Sequence, residues 1–201
     1  MMEDYREFWR LVATRPYLTR ADLLLHLDAW VRNTVAWEPT YLPGVGGNGQ
    51  RILLKDGSEV FACVPFAVLT ELVCERYHLN SEPLKKRYKS ATGKSLGLPL
   101  VMGNGRSFAA VQSRKHPRGK NDGCTMYIDV DAVASVESAK TGSVIHLKSG
   151  LTLKSVWSRR AVQDRLDEGR RFRDSLSQLE IVAPVPTPVS RALRTELATS
   201  N

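Results

Sequence analysis

Gln50-Arg51-Ile52-Leu53-Leu54-Lys55-Asp56-Gly57-Ser58-Glu59-Val60-Phe61-Ala62-Cys63, followed at once by Val64-Pro65-Phe66-Ala67-Val68-Leu69, is the stretch whose reading decides the fold. Two runs rich in branched and aromatic residues flank Asp56-Gly57, a dipeptide suited to a tight turn, so residues 50–55 and 58–63 are expected to pair as an antiparallel hairpin. Pro65 suits the opening of a helix, where its missing N–H costs nothing and its fixed φ is already helical. Leu69, Leu72, Val73 and Tyr77 recur behind it at helical spacing. A hairpin running into a helix points to an α+β domain built mainly on antiparallel sheet.

Downstream, residues 98–102 and 108–111 read as short strands around the turn Gly103-Asn104-Gly105. Four more strands are expected at 124–129, 132–137, 143–148 and 151–157, with Thr141-Gly142 and Ser149-Gly150 as turns, most simply one antiparallel meander. Ser158 caps a final amphipathic helix. Val162, Leu166, Phe172 and Leu176 form its buried stripe, and Arg159, Arg160, Arg165, Arg170, Arg171 and Arg173 are expected to make a basic surface on the remainder.

Upstream, Tyr5, Phe8, Trp9 and Val12 mark an amphipathic helix stopped by Pro16. A second helix is expected from the N-cap Thr19, with Asp22 completing a capping box, through Leu23, Leu27, Trp30 and Val31. This N-terminal helical hairpin of about 35 residues is too small to stand alone and must pack on the main domain or on another subunit. The Pro/Gly-rich stretch 39–49 is the best internal boundary, so the expected organisation is a hairpin over 1–38, a principal domain with a mid-chain helix and a C-terminal helix over 39–180, and a Pro-rich tail over 181–201. In that tail Ala183-Pro184-Val185-Pro186-Thr187-Pro188 reads as a polyproline linker.

Charge supplies the functional signal. Between Leu84 and Lys120 stand ten cationic residues, Lys85, Lys86, Arg87, Lys89, Lys94, Arg106, Arg114, Lys115, Arg118 and Lys120, and no Asp or Glu. With a net charge of +8, this points to a polyanionic partner. The plainer reading is a solvated basic face that keeps the protein soluble; the complete absence of acids favours binding. A hydrophobic content of 42% excludes a disordered basic tail. No apolar run approaches the roughly 20 residues that span a bilayer, and the N-terminus lacks the pattern of a secretory signal. Cys63, Cys74 and Cys124 are odd in number and widely spaced, which suits a reducing compartment. A cytoplasmic, nucleoid-associated protein without membrane contact is expected.

Motifs for chemistry are weak. Residues 44–49 satisfy the letters G-x-G-x-x-G but precede a strand, whereas a dinucleotide fingerprint needs a helix N-terminus there to receive the pyrophosphate. Thr92-Gly93-Lys94-Ser95 echoes the end of a phosphate-binding loop whose first glycine would have to be Tyr88. Cys74 and His78, with Cys63, His116 and Cys124, match no familiar zinc spacing. There is no G-x-S-x-G elbow and no H-E-x-x-H helix, and the pair His116 and Asp122 sits in a loop too basic to hold catalytic magnesium. No enzyme activity, cofactor or metal is expected.

The order of features from Tyr41 to Gln178 resembles the ComK family of competence transcription factors. The matching pieces are Tyr41-Leu42-Pro43 before a glycine-containing connector, the hairpin ending Glu59-Val60-Phe61, Val64-Pro65 opening the helix that contains Cys74, Leu98-Pro99-Leu100-Val101 before a turn, and Phe108 followed by Ser113. They continue with Gly123-Cys124-Thr125-Met126-Tyr127-Ile128, residues 144–153, and a polar helix with Gln163. The resemblance implies a cytoplasmic DNA-binding activator that assembles as a homo-oligomer on paired A/T-rich boxes and enters the minor groove, where narrow A/T tracts attract Arg and Lys. Arg114, Lys115, Arg118 and Lys120 are then expected nearest the groove. Lys85, Lys86, Arg87 and Lys89 are expected to grip phosphates; Lys94, Arg106, Arg159 and Arg160 complete the candidate set. The hairpin before Trp37 has no counterpart in that family, and the tail lacks the aromatic segment through which some members are handed to a protease, so a different regulatory protein partner is expected. The competing readings are a basic adaptor acting through the N-terminal hairpin and, less well supported, a metal-dependent nuclease.

Overall fold

In the computed structural model, residues 2–44, 49–77, 79–117 and 123–182 are described. His78, Arg118, Lys120, Asp122, the middle of the glycine-rich pattern at 45–48 and the tail from residue 183 lie outside them.

The N-terminal segment forms α1 (Met2–Thr14), α2 (Arg20–Leu25) and α3 (Leu27–Val31). Thr19 caps α2 as expected: its side chain accepts from the Asp22 backbone N–H and the Asp22 carboxylate accepts from the Thr19 N–H, satisfying donors a helix start leaves free. The expected single second helix is in fact two, broken at His26. This buried residue leaves helical geometry and meets Asp4 of α1 at 2.8 Å, while the break lets Leu23 and Trp30 reach the same core. The segment joining α1 to α2 runs along the sheet: the Leu18 N–H donates to Phe61 O and the Cys63 N–H to Leu18 O, covering an edge that would otherwise be open.

Among the described residues nine strands follow, with three further helices. The first three are β1 (Thr34–Thr40), β2 (Gly49–Leu54) and β3 (Glu59–Ala62). The β2–β3 hairpin forms as expected, although its loop holds three residues, Lys55, Asp56 and Gly57, since the Leu54 N–H bonds to Ser58 O. Gly57 takes φ +86°, the left-handed value such a loop requires. Pro65 opens α4 (Phe66–Arg76), whose Leu69, Leu72 and Val73 are buried. Then come α5 (Ser81–Thr92), β4 (Leu100–Val101), β5 (Ser107–Gln112), β6 (Thr125–Asp129), β7 (Val133–Ala139), β8 (Gly142–Leu147), β9 (Thr152–Ser155) and α6 (Arg159–Val182).

The large sheet has the order β3-β2-β1-β6-β5-β4 and is antiparallel throughout; β7, β8 and β9 form a separate three-stranded sheet. This corrects the expected four-strand meander. β6 belongs between β1 and β5, and only the last three strands form a meander. The large sheet buries both faces. Trp37, Ile52, Leu54, Val60 and Phe108 face Phe8, Leu23, Trp30, Leu69 and Leu72 of the helical layer, while Val35, Leu53, Ala109, Met126 and Ile128 face the small sheet and α6. The two layers are therefore held on one sheet, and β1, missed in the sequence, sits at its middle. Phe8, Leu23 and Trp30 are fully buried in this arrangement, so the N-terminal helices pack on the sheet as part of the common core.

On the other face α6 lies close to β5, because Gly169 brings no side chain: a Cβ there would stand 3.0 Å from Val130 Cγ1. The Ser107 hydroxyl donates to Gly169 O at 3.0 Å across that approach. Val162, Leu166 and Phe172 of the expected stripe are buried. The expected arginine surface is corrected. Arg165 bonds Glu168 and Tyr88, Arg170 bonds Asp167 and Val130 O, and Arg173 bonds Asp131 and Asp174, leaving Arg159, Arg160 and Arg171 as the exposed cations of that set.

Candidate nucleic-acid interface

The sequence candidates separate into three groups once placed. The first is engaged within the fold. Arg106 donates to Asp129 from Nε at 2.8 Å and to the carbonyls of Arg32 and Thr34, with its guanidinium 4.8 Å from the Phe108 ring centroid. Lys94 donates to both oxygens of Glu168 at 3.0 Å. Glu168 is buried and also accepts from Tyr88 Oη at 2.8 Å and Arg165 at 2.9 Å. Burial alone would raise the Glu168 pKa, but the hydrogen bonds from Lys94 and Tyr88 and the nearby cationic charges outweigh it and hold the carboxyl below its ordinary value. Tyr88, buried and bonded to that carboxylate, is pushed up to about 12. This cluster ties α5 to α6.

The second group lies on α5. Asn80 caps the helix by accepting from the Glu82 N–H, and Tyr88 packs edge-on to Phe172 of α6, with centroids 5.4 Å apart. That contact fixes which face is buried. Lys86, Arg87 and Lys89 are exposed, as is Lys85, which pairs with Glu82 at 2.7 Å.

The third group gathers at one end of the small sheet. Gln112, last residue of β5, accepts from Ser155 Oγ at 2.8 Å through its backbone carbonyl and from Trp157 Nε1 at 2.7 Å through its side chain. The chain leaving β5 through Ser113, Arg114 and Lys115 therefore starts beside the turn that opens α6 at Arg159 and Arg160. Ser143 pairs with Ser155 and donates to Trp157 O at 2.9 Å, so the β7–β8 turn with Lys140 lies at the same end. Lys154 stands one residue before Ser155. Lys115, Lys140, Lys154, Arg159 and Arg160 are all exposed there. Asp164 is the nearest acid to Arg160, at 4.0 Å between two largely exposed side chains, a pairing too loose to hold the charge.

Arg114 sits at the root of this end. Its Nε donates to Gly123 O at 2.7 Å and its guanidinium lies 4.5 Å from the Tyr41 ring centroid, while the Ser113 N–H donates to Cys124 O. These contacts clamp both described ends of the basic loop. Gly142 sets the position of the Lys140 turn: its φ is +111° and a Cβ would lie 2.0 Å from Ser155 O, so only glycine fits. The N-terminus of α6 adds the positive end of a long helix dipole to the same surface, with Ser158 Oγ accepting from the Ala161 N–H.

Lys140 and Lys154 were missed in the sequence because each stands as a single cation, Lys140 near Glu137 and Lys154 among neutral residues. Their signal is spatial. Among the described residues no group of three or more His, Cys, Asp or Glu is placed to hold a metal ion, and Cys63, Cys74 and Cys124 are free thiols. No described helix is long and apolar enough to cross a membrane. No family model, no curated protein and no solved structure matches the chain.

Proposed function

We propose that this protein is a DNA-binding transcription regulator, an activator resembling the ComK family, that binds A/T-rich duplex DNA through the minor groove as a homo-oligomer. The observation that carries the reading is the convergence of Lys115, Lys140, Lys154, Arg159 and Arg160 from four separate parts of the chain onto one end of the molecule. Free cations gathered on a folded surface can track phosphates, whereas Arg106, Lys94 and Arg165 already meet carboxylates. The order of sequence motifs supplies the family, the activator role and the A/T preference.

Lys86, Arg87 and Lys89 extend the phosphate-contacting surface along α5, and Lys115 enters the groove from the loop that Arg114 anchors at Gly123 and Tyr41. Leu24 and Leu25, exposed on α2, offer an apolar contact for a regulatory protein partner. Gel-shift titration on an A/T-box duplex against a GC-rich duplex, repeated over a salt series, tests the reading. With about six phosphate contacts, affinity falls on the order of a thousandfold between 50 and 200 mM salt. Replacing Arg114 and Lys115 narrows the gap between the two duplexes. A flat salt response refutes the proposal.

A further inference from the structure

A cleft of about 700 Å³ opens between α4 and the segment 95–100, with Tyr127 of β6 and Cys74 of α4 among its walls. Leu79, Leu98 and Leu100 make much of it apolar. Its volume lies within the range of small-molecule sites. The polar groups are few and specific. Tyr127 Oη has no hydrogen-bond partner among the described residues, and burial pushes its pKa up to about 12, so it remains a donor. The Cys74 thiol is likewise pushed up by burial, then by the charges of Glu71 and Glu75, and stays protonated; the chemistry of the cleft is binding and not covalent attack. Glu71 and Glu75, one helical turn apart, line the cleft and meet no cation at ion-pairing distance among the described residues. Lys85, the cation among the lining residues, is paired with Glu82 at 2.7 Å, so the uncompensated charge of the cleft is negative, the wrong sign for a polyanion and the right sign for an organic cation.

The cleft is also connected to the basic loop. The Tyr127 ring stacks on Phe66 with centroids 5.9 Å apart, and Phe66 abuts Gly123, where an added Cβ would lie 3.0 Å from Phe66 Cβ. Gly123 O receives the Arg114 guanidinium. A ligand that shifts the Tyr127 ring therefore presses on the root of the loop through packed groups in direct contact.

We propose that this cleft is an effector site for a small amphipathic cation, an apolar body carrying an amine, whose apolar part fills the leucine-lined walls, whose ammonium meets Glu71 and Glu75, and whose binding repositions the Arg114 loop. The regulatory consequence rests on the DNA-binding reading; the site itself does not. The test uses the full chain and phenethylamine, with phenylacetate as the same apolar body bearing the opposite charge. In amide NMR spectra without DNA, phenethylamine gives saturable shifts at Cys74, Leu98, Tyr127, Gly123 and Arg114 in the millimolar range usual for so small a ligand, and phenylacetate does not. Replacing both carboxylates (E71Q with E75Q), exposed enough to leave folding intact, weakens binding roughly fivefold, and Y127F, which keeps the ring stack, weakens it further. Absent shifts, equal response to phenylacetate, unchanged affinity of the E71Q/E75Q protein, or a silent Gly123 and Arg114 each overturn the proposal. Failure of the gel shift would refute the DNA-binding reading and leave this titration to decide the cleft.

Discussion

Two basic regions of one chain behave oppositely. Around Glu168, Lys94 and Arg165 converge on a buried carboxylate, and beside β1 Arg51 lies between Glu38 and Glu59 while Arg106 is held by Asp129 and two carbonyls. At the end formed by the β7–β8 turn, β9 and the start of α6, the cations have no such partners among the described residues apart from the loose contact of Arg160 with Asp164. The difference teaches that a count of Lys and Arg does not map a binding surface. What maps it is the set of cations the fold leaves uncompensated, because only these exchange small counterions for phosphates.

The largest expected effect tests the engaged side. Glu168→Ala removes the carboxylate that three donors share and leaves Lys94 and Arg165 without it, so stability should drop by about 3–5 kcal/mol in chemical denaturation. The same group sets a pH dependence. Its folded pKa lies below the ordinary value of 4.5, so its contribution is present above that value and is lost as pH falls through the lower folded one. Wild type should therefore lose more stability than Glu168→Gln on acidification below about pH 4.5; equal losses would place the linkage elsewhere.

Next comes the free side. Joint replacement of Lys140, Lys154, Arg159 and Arg160 by Ala should reduce DNA affinity about a hundredfold and lower the slope of log affinity against log salt by about four, with the unfolding midpoint unchanged. Arg106→Ala should do the reverse, destabilising the fold while leaving the salt slope alone. If Arg106→Ala lowers the slope instead, Arg106 belongs with the free cations that meet phosphates.

A smaller effect sharpens the geometry. Gly142→Ala forces a Cβ against Ser155 O at a φ that side chains avoid, which should cost about 2 kcal/mol and displace the Lys140 turn, visible as chemical-shift changes along β8 and β9. The smallest concerns an ordinary surface ion pair: Arg15→Ala breaks a 2.8 Å contact with Asp22 from a half-exposed position and should change the melting free energy by less than about 1 kcal/mol.

Where local chemistry is decisive, the fold was legible. Asp56-Gly57 between two branched runs specifies a hairpin, Pro65 starts a helix, and Thr19 with Asp22 caps another; all three were readable because each depends on neighbours a few residues away. β1 was not readable. Val35 and Trp37 face opposite cores, so the strand shows no alternation of apolar and polar residues, and Pro39 within it argues against a strand even though it pairs with Gln50. α5 escaped notice for the converse reason: Leu84 and Tyr88 are its main apolar side chains, and the helix finds its place through Tyr88 packing on Phe172 and bonding Glu168 some eighty residues away.

By itself, then, the sequence determined that the chain is an α+β domain with a basic surplus, capped helices and a tight hairpin, since these follow from short-range sterics, hydrogen bonding and composition. Only the tertiary structure decided that β6 joins the large sheet, that Arg106, Lys94 and Arg165 are paired with carboxylates of the fold, and that Lys140 and Lys154 stand beside Arg159 and Arg160. Strand order and charge pairing are set by contacts between residues far apart in the chain, and no local pattern records which distant partner each will meet.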